Sequence, residues 1–136
     1  MPSPQVRTAV AAYIAAHWSR APDIPINTTG EPPADGSPWL TVQYPVGIET
    51  HIGMAAIGNR TFREEGAIRL IFAGPRGQGQ DQAEQWLEEL RTLFRAAQFG
   101  GVTCRAPSPA VESDRNDNGP YWIISSSIPY YFDIFA

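Results

Sequence analysis

An alternation of apolar and polar side chains over Tyr121–Phe135 constrains the fold more than any other feature of this sequence. The side chains on one face of this segment are Trp122, Ile124, Ser126, Ile128, Tyr130 and Phe132. A period of two residues predicts a β-strand with one face against the core. Tyr121 and Tyr131 then point away from the core, in a position typical of aromatic side chains at protein interfaces. Because Pro129 lacks an amide hydrogen, we expect a bulge or an edge position from that residue onward.

Two other segments follow the helical period. The first is predicted to have Ser3 as its cap and Pro4 in its first turn. Its stripe consists of Val6, Val10, Tyr13, Ile14, His17 and Trp18, and His17 is expected to pack in the core. The second covers residues 81–98, where Asp81 and Glu84 have the spacing of a capping box and Gly100 follows the end. Its stripe consists of Trp86, Leu87, Leu90, Leu93, Phe94 and Ala97.

Shorter alternations predict four more strands. They cover residues 39–44, 46–54, 67–73 and 102–105, and Pro45 separates the first two. The proline-rich residues 21–38 and the polar residues 107–119 predict two long loops. This order of elements favours a single α+β domain over residues 1–136, in which two helices pack on one face of a mainly antiparallel sheet of four to five strands.

The composition argues against most kinds of catalytic or nucleic-acid site. The chain has no lysine, one cysteine (Cys104), two histidines (His17 and His51) and a formal net charge of −4. A P-loop needs a lysine, a thiolate metal centre needs several cysteines, and binding to phosphate backbones needs a basic surface. No apolar run reaches the roughly 20 residues that span a bilayer, and the N-terminus lacks the pattern of a secretory signal.

These observations favour a cytoplasmic protein-binding domain that is not an enzyme and uses no cofactor or metal ion. An enzymatic or small-ligand-binding domain remains the alternative from a different class. It would need a concave pocket in which polar groups converge, with His51 or Cys104 beside a perturbed carboxylate.

Charged and aromatic residues supply the candidate interface. Glu64 and Glu65 are adjacent, and adjacent side chains of a strand point to opposite faces, so this pair is poorly placed for acid–base chemistry. Ion pairs with the nearby arginines, within a loop or between subunits, suit it better. The candidate interface residues are Arg60, Arg63, Glu64, Glu65, Tyr121, Tyr130, Tyr131 and Phe132. The candidate contact segments are the loop 21–38, the segment 46–65 and the aromatic end of the chain.

Five segments together carry a family resemblance: residues 58–66, the strand 67–73, the helix 81–98, residues 105–107 and the ending 126–133. They resemble the tail terminator, or tail-completion, proteins of bacteriophages with long non-contractile tails and of phage-derived gene transfer agents. The resemblance runs from the first helix to the last strand. Its motifs are structural patterns and include no catalytic residue.

The resemblance implies a homo-oligomeric ring, a hexamer in the family, that caps the tail tube, ends its polymerisation and joins it to the head. The implied partners are the major tail tube protein and a head-completion or connector protein, while DNA passes through the lumen without specific binding. The implied location is the bacterial cytoplasm during assembly and then the head–tail junction of the particle, with no membrane. A head-completion or tail-tube protein of the same particle remains an alternative.

Overall fold

Three antiparallel strands of fifteen residues each form the centre of the sheet. The computed structural model describes residues 3–18, 39–54, 56–58, 60–75, 80–112 and 121–135, with the backbone alone at 75, 80–82, 112, 121 and 122. In chain order the elements are α1 (Pro4–His17), β1 (Trp39–Gly53), β2 (Thr61–Pro75), α2 (Gln80–Phe94), β3 (Gln98–Phe99), β4 (Val102–Cys104), β5 (Val111–Glu112) and β6 (Tyr121–Phe135).

The strand order is β1-β2-β6-β4-β3, with β5 also paired to β6, and every pairing is antiparallel. One face of this sheet packs against both helices. The core consists mainly of Val6, Val10, Ile14, Trp18, Leu40, Ile68, Leu70, Phe72, Leu87, Leu90, Phe94, Ile124, Ile128 and Tyr130. The predicted α+β fold, with two helices on one face of an antiparallel sheet, is confirmed.

β1 corrects the prediction of two strands separated by Pro45. It is one strand, and Pro45 lies at a β-bulge between Gln43 and Val46, where the register with β2 shifts. Since β1 is an edge strand, the missing amide hydrogen of a proline is tolerated there. β2 is likewise longer than predicted, because it starts at Thr61 and continues through Gly66.

α1 buries the predicted stripe at Val6, Val10, Ile14 and Trp18, but His17 is exposed, so its predicted place in the core is wrong. Its ring instead lies against that of Tyr13, with centroids 4.7 Å apart. Ser3 is the N-cap residue, as predicted, yet its hydroxyl makes no capping hydrogen bond.

α2 ends at Phe94, four residues earlier than predicted. Ala96 takes a φ of 53°, and the amide of Cys104 donates to the carbonyl oxygen of Ala97 at 2.8 Å. The following residues Gln98 and Phe99 then pair with β4. Sheet pairing therefore overrides the helix propensity of the alanines. α2 starts at Gln80, so Asp81 lies within the helix and its predicted capping position is wrong. The loop 21–38 lies outside the described residues, as does most of the loop 107–119.

β6 alternates as predicted, with Ile124, Ser126, Ile128, Tyr130 and Phe132 buried. The predicted bulge or edge position at Pro129 is wrong, because β2 and β6 keep one register along their whole length and β4 pairs on the other side. The carbonyl oxygen of Pro129 accepts the amide of Arg105 at 2.8 Å. β4 ends at Cys104, opposite Tyr130, so Pro129 lies just beyond the paired part of β4, where the missing amide hydrogen of a proline is tolerated.

Candidate assembly interface

The bulge in β1 decides which side chains reach the surface of the sheet. β1 and β2 pair Gln43 with Arg69 and Val46 with Ala67, so β1 has one residue more than β2 between these pairs. Before the bulge Leu40 is buried against the helices, whereas after it Val46 lies on the opposite side of the sheet. We call this opposite side the open face, because the two described helices pack on the other side.

Five residues of the open face form a network that we call the charged cluster: Arg63, Glu65, Arg105, Tyr131 and Asp133. Arg63 donates to both carboxylate oxygens of Asp133, with Nε–Oδ1 at 2.8 Å and Nη2–Oδ2 at 3.1 Å. Its Cζ lies 4.3 Å from the ring centroid of Tyr131, and that of Arg105 lies 5.3 Å from the same centroid. Arg105 also approaches Glu65, with Nη2–Oε1 at 3.8 Å.

Cross-strand pairing explains how these residues meet. Arg63 pairs with Asp133 and Glu65 pairs with Tyr131, so the four share one face of β2 and β6. The hydrogen bond from Arg63 lowers the pKa of the Asp133 carboxyl below its usual value. A carboxylate and a guanidinium held in this fork stay ionised at neutral pH and present a fixed geometry to a binding partner.

The outer part of the β1–β2 hairpin is apolar and exposed. We call the described residues of 46–65 the hairpin arm. Its exposed large apolar side chains are Val46, Ile48, Ile52, Met54 and Ile57, and Met54 and Ile57 at the tip are 94% and 86% exposed. Monomeric proteins seldom leave a row of large apolar side chains on an edge strand uncovered, so this arm is a candidate contact surface.

Three of the predicted interface residues lie in the core of the chain. Glu64, Tyr130 and Phe132 are 7%, 1% and 8% exposed. The Tyr130 hydroxyl donates to Glu64 Oε2 at 2.8 Å, and the Ser3 amide donates to Glu64 Oε1 at 3.1 Å. Burial, and next the bond to Glu64, raise the pKa of Tyr130 above its usual value. These side chains hold the N-terminus of α1 against the sheet, and their contact with another subunit stays a prediction.

Three of the five remaining predicted residues lie close to one another. Arg60 precedes β2, and its Cζ lies 5.9 Å from the ring centroid of Phe62. Arg63, Glu65 and Tyr131 belong to the charged cluster, while the side chain of Tyr121 lies outside the described part of the chain. The structure thus brings Arg63, Glu65 and Tyr131 together on the open face, and separates Glu64 from Glu65 onto opposite faces as the strand period predicts.

The enzymatic alternative depends on His51 or Cys104, and the contacts of both side chains are those of residues that pack within the fold. The His51 ring stacks on that of Phe62 with centroids 4.6 Å apart, and its Nε2 lies 2.7 Å from the carbonyl oxygen of Gly53. Cys104 is buried, and desolvation raises the pKa of its thiol to about 12. A thiol with such a pKa is protonated at neutral pH and behaves as a small apolar side chain.

Within the described ranges, no group of histidine, cysteine, aspartate and glutamate side chains could hold a metal ion. Neither described helix combines the length and the hydropathy needed to cross a membrane.

Sequence reasoning placed Ile48, Met54 and Ile57 within the candidate contact segment 46–65 without singling them out, and it missed the cluster members Arg105 and Asp133. For Asp133 a signal existed, since the alternation of the last strand places it on the same face as Tyr131. The exposed tip had no such signal, because only the structure shows what covers an apolar side chain.

Comparisons with known proteins bear on the family and the fold of this chain. A sequence model of the family described as phage tail terminator protein matches residues 5–130. Twelve solved chains match the structure, and one of them superimposes with a TM-score of 0.62 at 24% identity, covering 100% of this chain and 99% of its own. At that identity the likeness shows the fold alone. No curated protein matches the sequence.

Proposed function

Because the chain belongs to the phage tail terminator family, we propose that it forms a ring, a hexamer, that caps the tail tube and joins it to the head. The family is one of structural tail proteins, with a place in the virion tail. The observation that carries the ring is the exposed hairpin arm beside the charged cluster. Both surfaces are unusual for a chain that works alone and ordinary for one whose copies bind each other.

A closed ring needs heterologous contacts, in which one patch of a subunit meets a different patch of the next. The tip of the hairpin arm, at Met54 and Ile57, and the charged cluster are two such patches on one chain. Termination follows from the asymmetry of the ring. One rim binds the last ring of the tube in the way that a further tube ring would, and the other rim has no binding site for a further ring. The second rim then binds a head-completion or connector protein.

The charge balance supports a lumen through which DNA passes without being held. The chain carries 14 acidic residues against 10 basic ones. A ring of mildly acidic subunits repels phosphate and has no basic stripe to hold a duplex. We propose that assembly takes place in the bacterial cytoplasm and that the ring stays at the head–tail junction.

The test is the phenotype of a particle that lacks this chain. We expect tails of abnormal length and tails detached from heads in electron micrographs, and purified chain added with tube protein should give a single ring by native mass spectrometry. Normal tails would contradict the proposal. A chain that polymerises into tubes by itself would instead be a tube protein, and full-length detached tails beside otherwise intact heads would indicate a head-completion protein.

Replacing Arg63 with alanine should weaken ring assembly much more than folding. The substitution removes the fork to Asp133 and one of the two guanidinium contacts of Tyr131, whereas partly exposed ion pairs add little to stability. Assembly on tube ends should be measured by sedimentation and folding by the melting temperature. Arg69→Ala is the matched control, because Arg69 is exposed on the same face of β2. Equal assembly of both variants, or a large fall in the Arg63→Ala melting temperature alone, would contradict the role of the cluster.

A further inference from the structure

A groove on the open face lies beside the bulge. It has a volume of about 300 Å³ and is lined by Val46, Ile48, Thr50, Glu65, Gly66 and Ala67. Gly66 and Ala67 form its floor because they have little or no side chain, and the bulge turns Val46 and Ile48 toward it. The groove is therefore an apolar hollow with one carboxylate at its rim.

The tip of the same arm is an apolar projection, which is complementary in shape to the groove. Met54 and Ile57 are almost fully exposed and lie at the turn between β1 and β2. From Ile48 to Met54 the strand spans about 20 Å at roughly 3.3 Å per residue. A hairpin paired along this length cannot bend its own tip back into its own groove, so only a tip from another molecule can reach it.

Size and charge agree between the two patches. A hollow of about 150 Å³ accepts a benzene-sized group, so a groove of about 300 Å³ has room for two side chains such as methionine and isoleucine. Arg60 brings a positive charge to the tip, and Glu65, whose side chain is 51% exposed, brings a negative one to the rim of the groove. Insertion would bury apolar side chains and place opposite charges near each other.

We propose that the hairpin tip of one copy, at Met54 and Ile57, inserts into the groove of the next copy between Val46 and Ala67. The contact is heterologous, since tip and groove are different patches, and repeated around an axis it generates a ring. This inference rests on the proposed ring and names the residues that close it. It also explains why an edge strand keeps branched apolar residues where charged ones are the usual protection.

Paired cysteines with a short bismaleimide cross-linker test the contact. The only native cysteine is buried, so introduced thiols react selectively. In the presence of tube protein, Ile48→Cys/Ile57→Cys should give a ladder of covalent multimers up to the size of the ring. An equal mixture of the two single variants should stop at dimers, because each copy then carries one reactive patch. Either single variant alone should stay monomeric.

The control variant replaces the tip thiol with one elsewhere on the surface. Val111 is 58% exposed on β5, outside the arm, and Ile48→Cys/Val111→Cys should give no ladder.

Rings in native mass spectra without an Ile48–Ile57 ladder would overturn this contact and leave the proposed function standing. Dimers of Ile57→Cys alone would indicate a symmetric tip-to-tip contact, and cross-links from Ile48→Cys to tube protein would indicate another occupant; both would overturn it. Failure of the wild-type chain to form any ring would instead overturn the proposed function.

Discussion

Replacing Gly66 with alanine should lower the free energy of unfolding by about 3 kcal/mol, at the upper end of the usual cost of overpacking. A Cβ at this position would collide with the carbonyl oxygen of Val46 and would lie 3.1 Å from both Cε1 and the hydroxyl of Tyr130. The carbonyl oxygen belongs to the backbone of the bulge and cannot rotate away as a side chain would. The strands would have to separate where β1 turns its side chains toward the open face. Chemical denaturation monitored by circular dichroism measures the effect.

Gly74→Ala is the matched control for this substitution. Gly74 is another glycine of β2 and is buried, but a Cβ there would make ordinary contacts at 3.5 Å with Ala83 and Phe72. Its substitution should change stability by no more than about 1 kcal/mol, since alanine reduces the freedom of the unfolded chain. Equal losses of stability at both positions would contradict the explanation that residue 66 must be glycine because of close packing at the bulge.

The same glycine explains why the hairpin was only partly predictable. Alternation within each segment predicts that Ile48, Thr50 and Ile52 share a face, and that Glu64 and Glu65 do not. It could not predict that residues 39–53 form one strand or that β2 continues through Gly66, because Pro45 and Gly66 are each a normal signal for a strand end. The bulge is a property of the pair of strands: Val46 approaches closely only where the partner has no side chain. A single sequence does not show which strand lies opposite.

In the candidate interface, too, the sequence predicted what depends on neighbouring residues and not what depends on residues distant in the chain. The strand period places Tyr131 and Asp133 on the open face and Tyr130 and Phe132 inside, and the structure agrees. Choosing Tyr130 and Phe132 as interface residues relied on the density of aromatic residues, although their period placed them on the core face. Arg105 could not be assigned to the cluster, because its contact with Glu65 joins residues that are distant in the sequence and depends on how β4 docks against β6.

Replacing Glu64 with alanine should lower the free energy of unfolding by about 3 kcal/mol, because two donors to a buried carboxylate lose their acceptor. The donors are the Tyr130 hydroxyl and the backbone amide of Ser3, at the N-terminus of α1. A negative charge at that end of a helix is itself stabilising, so its removal adds to the loss. The neighbouring substitution Glu65→Ala is the control: Glu65 is exposed on the other face, and its loss should change stability by about 0.5 kcal/mol or less.

High pH gives a second measurement at this site, of the buried and hydrogen-bonded environment of Tyr130. The pKa of Tyr130 is raised above 10.0 by burial and then by Glu64, so its contribution to stability is complete below pH 10.0. Above that pH the unfolded state ionises first, and the contribution is progressively lost. Stability of the wild type should therefore fall more steeply with pH than that of Tyr130→Phe. Cys104, whose pKa is also raised, is present in both proteins and cancels in the difference.

The double variant Glu64→Ala/Tyr130→Phe distinguishes a specific bond from general damage to the core. If the carboxylate acts through the Tyr130 hydroxyl, removing both groups leaves one fewer buried donor without a partner than Glu64→Ala alone. The combined loss should then be smaller than the sum of the two single losses by about 1 kcal/mol or more. Additive losses would show that Glu64 stabilises the fold through Ser3 and the end of α1 alone. In that case the pH dependence of Tyr130 would reflect burial, and it would be unchanged by Glu64→Ala.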